Sequence, residues 1–366
     1  MPSPAYDVSS RPKRSGVERP ACLLVVVTML MAATAFAQKG VQVKTDDANR
    51  RVDITIDGQL FTSYLWPDTS DPKALKKPVL FPLMDSDGVT VTRGYPLAPR
   101  PHERVDHPHH AGLWFNYGNA NGFDFWNNSD AIKPAQRDKM GTIYEDKIVS
   151  TKSGASRGEL VATSHWTTGK GDRILDQTTR YVFSGGKGKR TVDMIITLKA
   201  LEDVTFNDDK EGVLGMRVAS WLESPEEKSG IFMDAAGRPT QTAGASPDAT
   251  GVYLTSEGVE GPKVWATRGR WCTLTGHNPA GHTDSIAILD HPGNPGYPTY
   301  WHARGYGLFA ANPLGRSIFD PKQPPFQYTI KKGDSTTFRY RIEIYDHATT
   351  PAEINHDADV FAAEKH

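Results

Sequence analysis

The sequence predicts an all-β protein, a large antiparallel β-sandwich with a short C-terminal helix. Three observations predict this class. Apolar and polar residues alternate with period two in many segments, turn residues separate those segments, and no helical segments alternate with them. With so many antiparallel strands, two large sheets packed face to face are the expected arrangement.

Period-two alternation identifies the individual strands. In RVDITID, Val52, Ile54 and Ile56 share one face. The same pattern predicts strands in TIYEDKIVS, ELVATSHWT, ILDQTTRYVFS, RTVDMIITLKAL, EGVLGMRVASWL, DSIAILD and TTFRYRIEIYD. The turn sequence SGGKGK lies between two of these segments and predicts a hairpin.

The C-terminal segment predicts one helix. Thr350 and Glu353 have the spacing of a capping box, and Pro351 stands at the first helical position. An apolar stripe then follows at helical spacing, and we expect it to dock on a sheet: Ile354, Ala358, Phe361 and Ala362.

Residues 1–37 have the pattern of a secretory signal peptide. Four basic residues between 11 and 19 precede the apolar stretch 21–33, and Ala35-Phe36-Ala37 has the form of a cleavage site. The apolar stretch is shorter than the roughly 20 residues that a membrane span needs. We therefore expect a periplasmic or secreted protein, with residues 38–366 forming a single β-sandwich domain and no membrane span after cleavage.

Charge and cysteine content exclude several classes of partner. The formal net charge is −1, which predicts no nucleic-acid binding. Beyond residue 37 the chain has one cysteine, Cys272, so we expect neither an intrachain disulfide nor a cysteine-based metal cluster. Cys272 follows Trp271 and is expected to face a core.

The segment RPHERVDHPHHAGLWF, residues 100–115, is the strongest candidate for a functional site. If Glu103 to His109 is extended, Glu103, His107 and His109 share one face. Two histidines and a carboxylate are suited to general acid–base catalysis, with Glu103 or Asp106 orienting an imidazole. The same set, His107, His109 and Glu103, could also bind a divalent metal, although the sequence requires no cofactor.

The residues after the histidines favour a carbohydrate or another small polar ligand. GLWFNYGNANGFDFWNN interleaves aromatic residues such as Trp114 with amides such as Asn116. Aromatic faces stack on sugar rings, and amides bind ring hydroxyls. We include His110, Trp114 and Asn116 among the expected substrate-binding residues.

A second segment, LDHPGNPGYPTYWHARGYGLFAANPLG, has a similar composition. Asp290-His291-Pro292 repeats the triplet Asp106-His107-Pro108, so we expect the two segments to converge on one pocket. His302 and Arg304 fall on one face of an extended chain, where they could bind substrate oxygens. The substrate-binding residues expected from this segment are His291, His302, Arg304 and Asn312.

Arg217 is a further candidate, because it lies in the apolar strand sequence EGVLGMRVASWL. A buried arginine needs a carboxylate partner. Asp106, Asp290 and Glu103 are the candidate partners for Arg217.

These segments together resemble the DUF6807 family of exported bacterial proteins, which is commonly labelled methane oxygenase PmoA. The segments that carry the resemblance are KPVLFPLMDSDGVTVTRGYP, HERVDHPHHAGLWF, NGFDFW, GVLGMRVA, LDHPGNPGYPTYWHARGYGLFAANPLG and FRYRIEIYD. The resemblance implies an exported, β-rich protein that accompanies polysaccharide and glycoside breakdown. An integral-membrane methane monooxygenase subunit is excluded, because no apolar run of about 20 residues follows residue 37.

KPVLFPL followed by a histidine-rich strand also resembles the galactose-mutarotase-like β-supersandwich proteins. These enzymes bind a sugar across a sheet with a histidine acid and a carboxylate base. The resemblance implies His107 or His109 as the histidine, and Glu103, Asp106 or Asp290 as the carboxylate.

Three functions therefore remain open. The first is a carbohydrate lyase, hydrolase or epimerase that uses histidine–carboxylate acid–base chemistry. The second is a metal-dependent hydrolase or oxygenase, and the third is a non-catalytic carbohydrate-binding module.

Overall fold

The computed structural model describes residues 39–67 and 75–364. The predicted signal peptide and its boundary at residue 37 lie outside the described residues. Within the described part, no helix has the length and apolar character needed to cross a membrane.

The described residues form twenty strands. In chain order they are β1 Val41–Asp46, β2 Arg51–Ile56, β3 Gln59–Leu65, β4 Val79–Leu83, β5 Leu113–Tyr117, β6 Gly141–Lys152, β7 Arg157–Thr168, β8 Arg173–Gly186, β9 Lys189–Ala200, β10 Val204–Asn207, β11 Gly212–Arg217, β12 Ile231–Met233, β13 Pro239–Gln241, β14 Val252–Thr255, β15 Trp271–His277, β16 Thr283–Asp290, β17 Tyr300–Arg304, β18 Leu308–Asn312, β19 Gln327–Ile330 and β20 Ser335–Tyr345. The α-helix α1 spans Pro351–Ala363, and short 3₁₀ helices span Asp47–Asn49, Pro134–Lys139, Ser220–Leu222 and Gly261–Val264.

Two eight-stranded antiparallel sheets carry most of these strands. The first sheet has the order β1-β2-β3-β4-β5-β11-β18-β17, and the second has the order β14-β15-β16-β20-β9-β8-β7-β6. Two two-stranded sheets, β10–β19 and β12–β13, complete the topology. The predicted all-β class, with large antiparallel sheets and a C-terminal helix, is confirmed.

The main hydrophobic core lies between the two sheets. Val52 and Leu113 of the first sheet belong to the same buried cluster as Ile196 and Ile342 of the second. Cys272 is fully buried in this cluster, as expected. Burial of apolar side chains from both inner faces stabilises the sandwich by roughly 25 cal/mol for each Å² of apolar surface removed from water.

The outer face of the first sheet is also covered, and this positions the candidate site. Every residue of β5 is buried. Trp114 on that strand packs with Trp126 in a separate outer cluster. Gly215 on β11 lies beneath both rings, since a Cβ atom there would lie 2.4 Å from Trp114 and 2.7 Å from Trp126.

Helix α1 covers the outer face of the second sheet. The Thr350 side chain accepts a hydrogen bond from the Glu353 amide, which confirms the predicted N-cap. Ile354, Ala358 and Phe361 are buried against the sheet. Ala362 does not belong to the docked stripe and is exposed, because it lies to the side of that face.

We expect Phe361→Ala to lower the free energy of unfolding by about 3 kcal/mol, because it leaves a cavity where a buried ring packed. Val360→Ala on the same helix is the matched control, since Val360 is 44% exposed. Its expected effect is below about 0.5 kcal/mol. Chemical denaturation measures both values, and equal stabilities of the two variants would contradict the docking of α1.

Candidate functional site

The histidine segment lies over the outer face of the first sheet and is not extended throughout. His102 and His107 have positive φ angles of 65° and 42°. The His110 amide donates to the His107 carbonyl at 2.9 Å, which closes a turn. Around Arg104 the backbone pairs with β12, since the Met233 amide donates to the Glu103 carbonyl and the Val105 amide to the Ile231 carbonyl. The expected alternation up to His109 is therefore wrong beyond Val105, because this turn ends the extended pairing.

Arg93 holds this turn in place. Its guanidinium donates to the carbonyls of His107 and His110, each at 3.0 Å, and to the carbonyl of Arg104 at 3.2 Å. It also donates to Asp106 Oδ1 at 2.6 Å. Arg93 was not among the predicted site residues, although a single arginine in the apolar sequence GVTVTRGYP was a usable signal.

Asp106 is the carboxylate at the centre of the site. Its Oδ1 accepts hydrogen bonds from Arg93 at 2.6 Å and from Arg217 at 2.7 Å. Burial opposes ionisation, but the hydrogen bond from His107 and the charges of Arg217 and Arg93 hold the pKa of Asp106 well below its usual range. The prediction that Arg217 is buried and paired with a carboxylate is confirmed.

His107 is the solvent-exposed histidine beside Asp106. Its side chain is 42% exposed, and its Nδ1 lies 3.2 Å from Asp106 Oδ2. The ring stacks on His110 with 4.9 Å between centroids, and on Tyr306 with 5.1 Å. The two stacked neighbours restrict the plane of the ring, while Asp106 restricts its rotation.

His110 is a buried positioning residue. Trp126 Nε1 lies 3.2 Å from its Nε2, and Arg217 Nη1 lies 3.3 Å from its Nδ1. A neutral imidazole accepts at one nitrogen only, so one of these contacts is a hydrogen bond in a given tautomer. Burial lowers the pKa of His110 well below its ordinary value and keeps the ring neutral.

Glu103 is directed away from the imidazoles. Its carboxylate accepts from the Gly94 amide at 2.8 Å and from Arg100 at 2.6 Å. In residues 39–67 and 75–364, no three His, Cys, Asp or Glu side chains form a group that could hold a metal ion. The expected set of His107, His109 and Glu103 is thus not assembled, because Arg100 and Gly94 bind the carboxylate.

His109 lies beside His107 but faces a different cavity. Their ring centroids are 5.6 Å apart. The cavity has a volume of about 430 Å³ and is also lined by Lys77, Tyr95 and Leu97. Burial, followed by the positive charges of Lys77 and His107, lowers the pKa of His109 to about 2.

The second predicted segment reaches the site through β17 and the turn that follows. Tyr306 stacks on His107, and the Arg217 guanidinium lies 4.8 Å from the centre of the Tyr306 ring. His302 is buried on the outer face of β17 and contacts the Lys210 carbonyl through Nδ1 at 2.9 Å. The two segments therefore come into contact through His107 and Tyr306, while a pocket that they share stays a prediction.

A second cavity, of about 420 Å³, adjoins Tyr306. Arg304 and Trp265 form part of its wall, with the guanidinium 4.6 Å from the centre of the indole ring. Glu226 and Glu227 add carboxylates. Charged and aromatic groups therefore line the same space.

His291 lies elsewhere, so the Asp-His-Pro repeat does not mark one pocket. Its ring packs edge-on against Phe361 of α1, with 5.2 Å between centroids. The buried Asp290 accepts from the Thr299 amide at 2.8 Å. Helix α1 covers the second sheet, while residues 102–110, here called the histidine turn, cover the first. The two triplets therefore belong to opposite outer faces of the sandwich.

Two further predicted ligand-binding residues are occupied by the fold. The Asn116 amide donates to the Phe125 carbonyl at 2.6 Å beneath the tryptophan cluster. Asn312 donates to the Asp209 carbonyl and accepts from the Leu314 and Gly315 amides. Both side chains are fully buried, and they hold loops against the sheet.

We expect His302→Gln to change the pH dependence of stability. Burial and the charge of Arg304 lower the pKa of His302 to about 3 from 6.5, so the unfolded chain binds the extra proton between these values. Wild-type stability should therefore fall relative to the variant as pH decreases below about 6.5, by up to about 1.4 kcal/mol per pH unit.

Denaturation curves across this pH range measure the difference between the two proteins. Near pH 8, where neither state binds the proton, the difference should be constant. A difference that stays constant down to about pH 4 would contradict burial of a neutral His302.

The chain is similar to several solved structures. The chain is similar to galactose 1-epimerase from Lactobacillus acidophilus NCFM, with 11% identity over 84% of this chain and 100% of that chain, and a TM-score of 0.35. It is similar to a GH36 α-galactosidase from Geobacillus stearothermophilus, with 13% identity over 84% of this chain and 41% of that chain, and a TM-score of 0.36. The chain is also similar to a galactose mutarotase-like protein from Clostridium acetobutylicum, with 9% identity over 84% of this chain and 98% of that chain, and a TM-score of 0.32.

Likenesses at these TM-scores do not define an activity. No curated protein matches the chain. The model of DUF6807, a family of unknown function, matches residues 51–359. The chain therefore belongs to the DUF6807 family.

Proposed function

We propose that this protein is a carbohydrate-active enzyme in which His107 transfers a proton to or from a sugar. The observation that carries the proposal is the contact between the solvent-exposed His107 and Asp106, at 3.2 Å. A histidine that is oriented by an ionised carboxylate is suited to general acid–base catalysis.

Asp106 has the properties that an orienting carboxylate needs. Its Oδ2 faces His107 Nδ1, while its Oδ1 is bound by Arg93 and Arg217. The carboxylate therefore orients the His107 ring, with Nδ1 on the side of Asp106. Nε2 is then the nitrogen that exchanges a proton with substrate.

The cavity beside Tyr306 is suited to a sugar. Tyr306 and Trp265 supply aromatic surface, and Arg304 supplies a guanidinium for sugar oxygens. Its volume of about 420 Å³ lies in the range of small-molecule sites. Tyr306, which lines this cavity, also stacks on His107 and so links the cavity to the proposed acid–base group.

The proposal also includes export. The signal-peptide pattern of residues 1–37 supports a periplasmic or secreted location. Polysaccharide fragments and glycosides in that compartment are the proposed source of substrate.

His107→Ala should reduce turnover by about 100-fold or more, because general acid–base catalysis typically contributes 10²–10⁴. Wild type and variant are incubated with a panel of glycosides and sugar lactones, and products are quantified by mass spectrometry. His282→Ala is the matched control, since His282 is 64% exposed and lies near Asp87 rather than Asp106. The control should retain wild-type turnover.

Wild-type turnover in His107→Ala would exclude His107 as the acid–base group. Saturable sugar binding by the wild type, with no product after long incubation, would instead identify a carbohydrate-binding module. Circular dichroism of each variant checks that the fold is retained.

A further inference from the structure

Buried positive charge exceeds buried negative charge beneath the histidine turn. Arg93, Arg217 and Lys77 are at most 2% exposed. Asp106 is the carboxylate that binds the two arginines. Glu223, which also lies near them, forms its salt bridge with Arg104 at 2.8 Å.

Lys77 has no carboxylate within salt-bridge distance among the described residues. Its ammonium group donates to the His109 carbonyl at 2.6 Å and lies 5.0 Å from the centre of the Trp114 ring. Asp124 is the carboxylate whose charge acts on it, but Asp124 itself binds the amides of Trp126 and Asn127. A buried cation without a direct counterion is costly, and an anionic ligand would remove that cost.

The cavity of about 430 Å³ gives such a ligand access to Lys77. His109 lines the same cavity, and its buried Nε2 has no hydrogen-bond partner within the described part of the chain. Asp130, also in the wall, is paired with Lys76 at 3.1 Å and does not neutralise Lys77. A buried ammonium group without a direct carboxylate partner and an unpartnered imidazole nitrogen therefore line one cavity.

The electrostatic environment of His109 independently indicates an anion. After burial, the charges that lower its pKa come from Lys77, His107, Arg93 and Arg217. All four disfavour a positive charge at this position, so the local potential is positive. A carboxylate placed here would interact favourably with each of them.

We propose that the cavity between Lys77 and His109 binds the carboxylate of an acidic sugar, a uronate or an aldonate. Lys77 forms an ion pair with the carboxylate, and the His109 Nε2–H donates a hydrogen bond to it. The sugar part of this inference rests on the proposed function. This cavity is distinct from the one beside Tyr306, and the ring centroids of His107 and His109 are 5.6 Å apart.

Binding should be coupled to proton uptake. Burial lowers the pKa of Lys77 to about 7 in the absence of ligand, with Asp124 opposing the shift. A bound carboxylate favours the ammonium form and raises this pKa, so near pH 8 the complex takes up a proton and affinity falls as pH rises. The other charged or titratable groups at this cavity are His109, Lys76, Tyr95 and Asp130.

Isothermal titration calorimetry tests the proposal with D-glucuronate, D-galacturonate and D-gluconate against D-glucose and D-galactose. We expect at least one acid to bind at least about tenfold more tightly than its neutral counterpart. Titrations near pH 8, in two buffers of different ionisation enthalpy, should show net proton uptake. Inorganic phosphate, titrated alone, tests whether the cavity accepts any anion.

Lys77→Met keeps the volume of the side chain and removes its charge. We expect it to weaken binding of the acid at least about tenfold and to abolish proton uptake. Lys77→Arg should retain part of the affinity but show no uptake near pH 8, because arginine stays protonated. The exposed Lys322→Met is the matched control and should behave as wild type.

Failure of all three acids to bind the wild type would overturn the proposal, as would equal affinity for the neutral sugars. Unchanged acid binding by a folded Lys77→Met variant would also overturn it. Phosphate binding as tight as that of the best acid would assign the cavity to an inorganic anion instead. Turnover by His107→Ala is measured separately, so failure of the proposed catalytic role leaves these binding results interpretable.

Discussion

The candidate site depends on the ion pairs that the Asp106 carboxylate forms with Arg93 and Arg217. Arg93 also donates to three carbonyl groups of the histidine turn, so a single guanidinium determines both the path of the turn and the position of Asp106. Arg217 connects this turn to β11 in the sheet below. Removing one member would leave buried charge without a partner, which is strongly destabilising.

This ion cluster divides the histidines into different roles. His110 is buried against Trp114 and Trp126, where it supports the ring above it. His107 is stacked on that support and remains exposed. His109 faces a separate cavity with Lys77. One short segment therefore supplies a positioning group, a proton-transfer group and a ligand-binding group in the proposed mechanism.

The sandwich scaffold was largely predictable, and the site only in part. Alternation in segments such as RVDITID and the capping box at Thr350 depend on neighbouring residues, so local sequence reveals them. The pairing of Arg217 with Asp106 was among the expected pairs. Lys77 and Arg93 were missed, because burial of a basic residue depends on what covers it rather than on its own sequence neighbours.

His291 and His302 show most clearly what local sequence could not predict. Both stand in the same histidine-containing segment, yet one packs on α1 and the other lies beside Lys210 near Tyr306. The sequence by itself determined the long alternating strands, the final helix and the concentration of imidazoles after residue 100, since these depend on periodicity and composition. Only the tertiary structure decided which imidazoles meet, because β16 and β17 belong to different sheets and their neighbours come from distant parts of the chain.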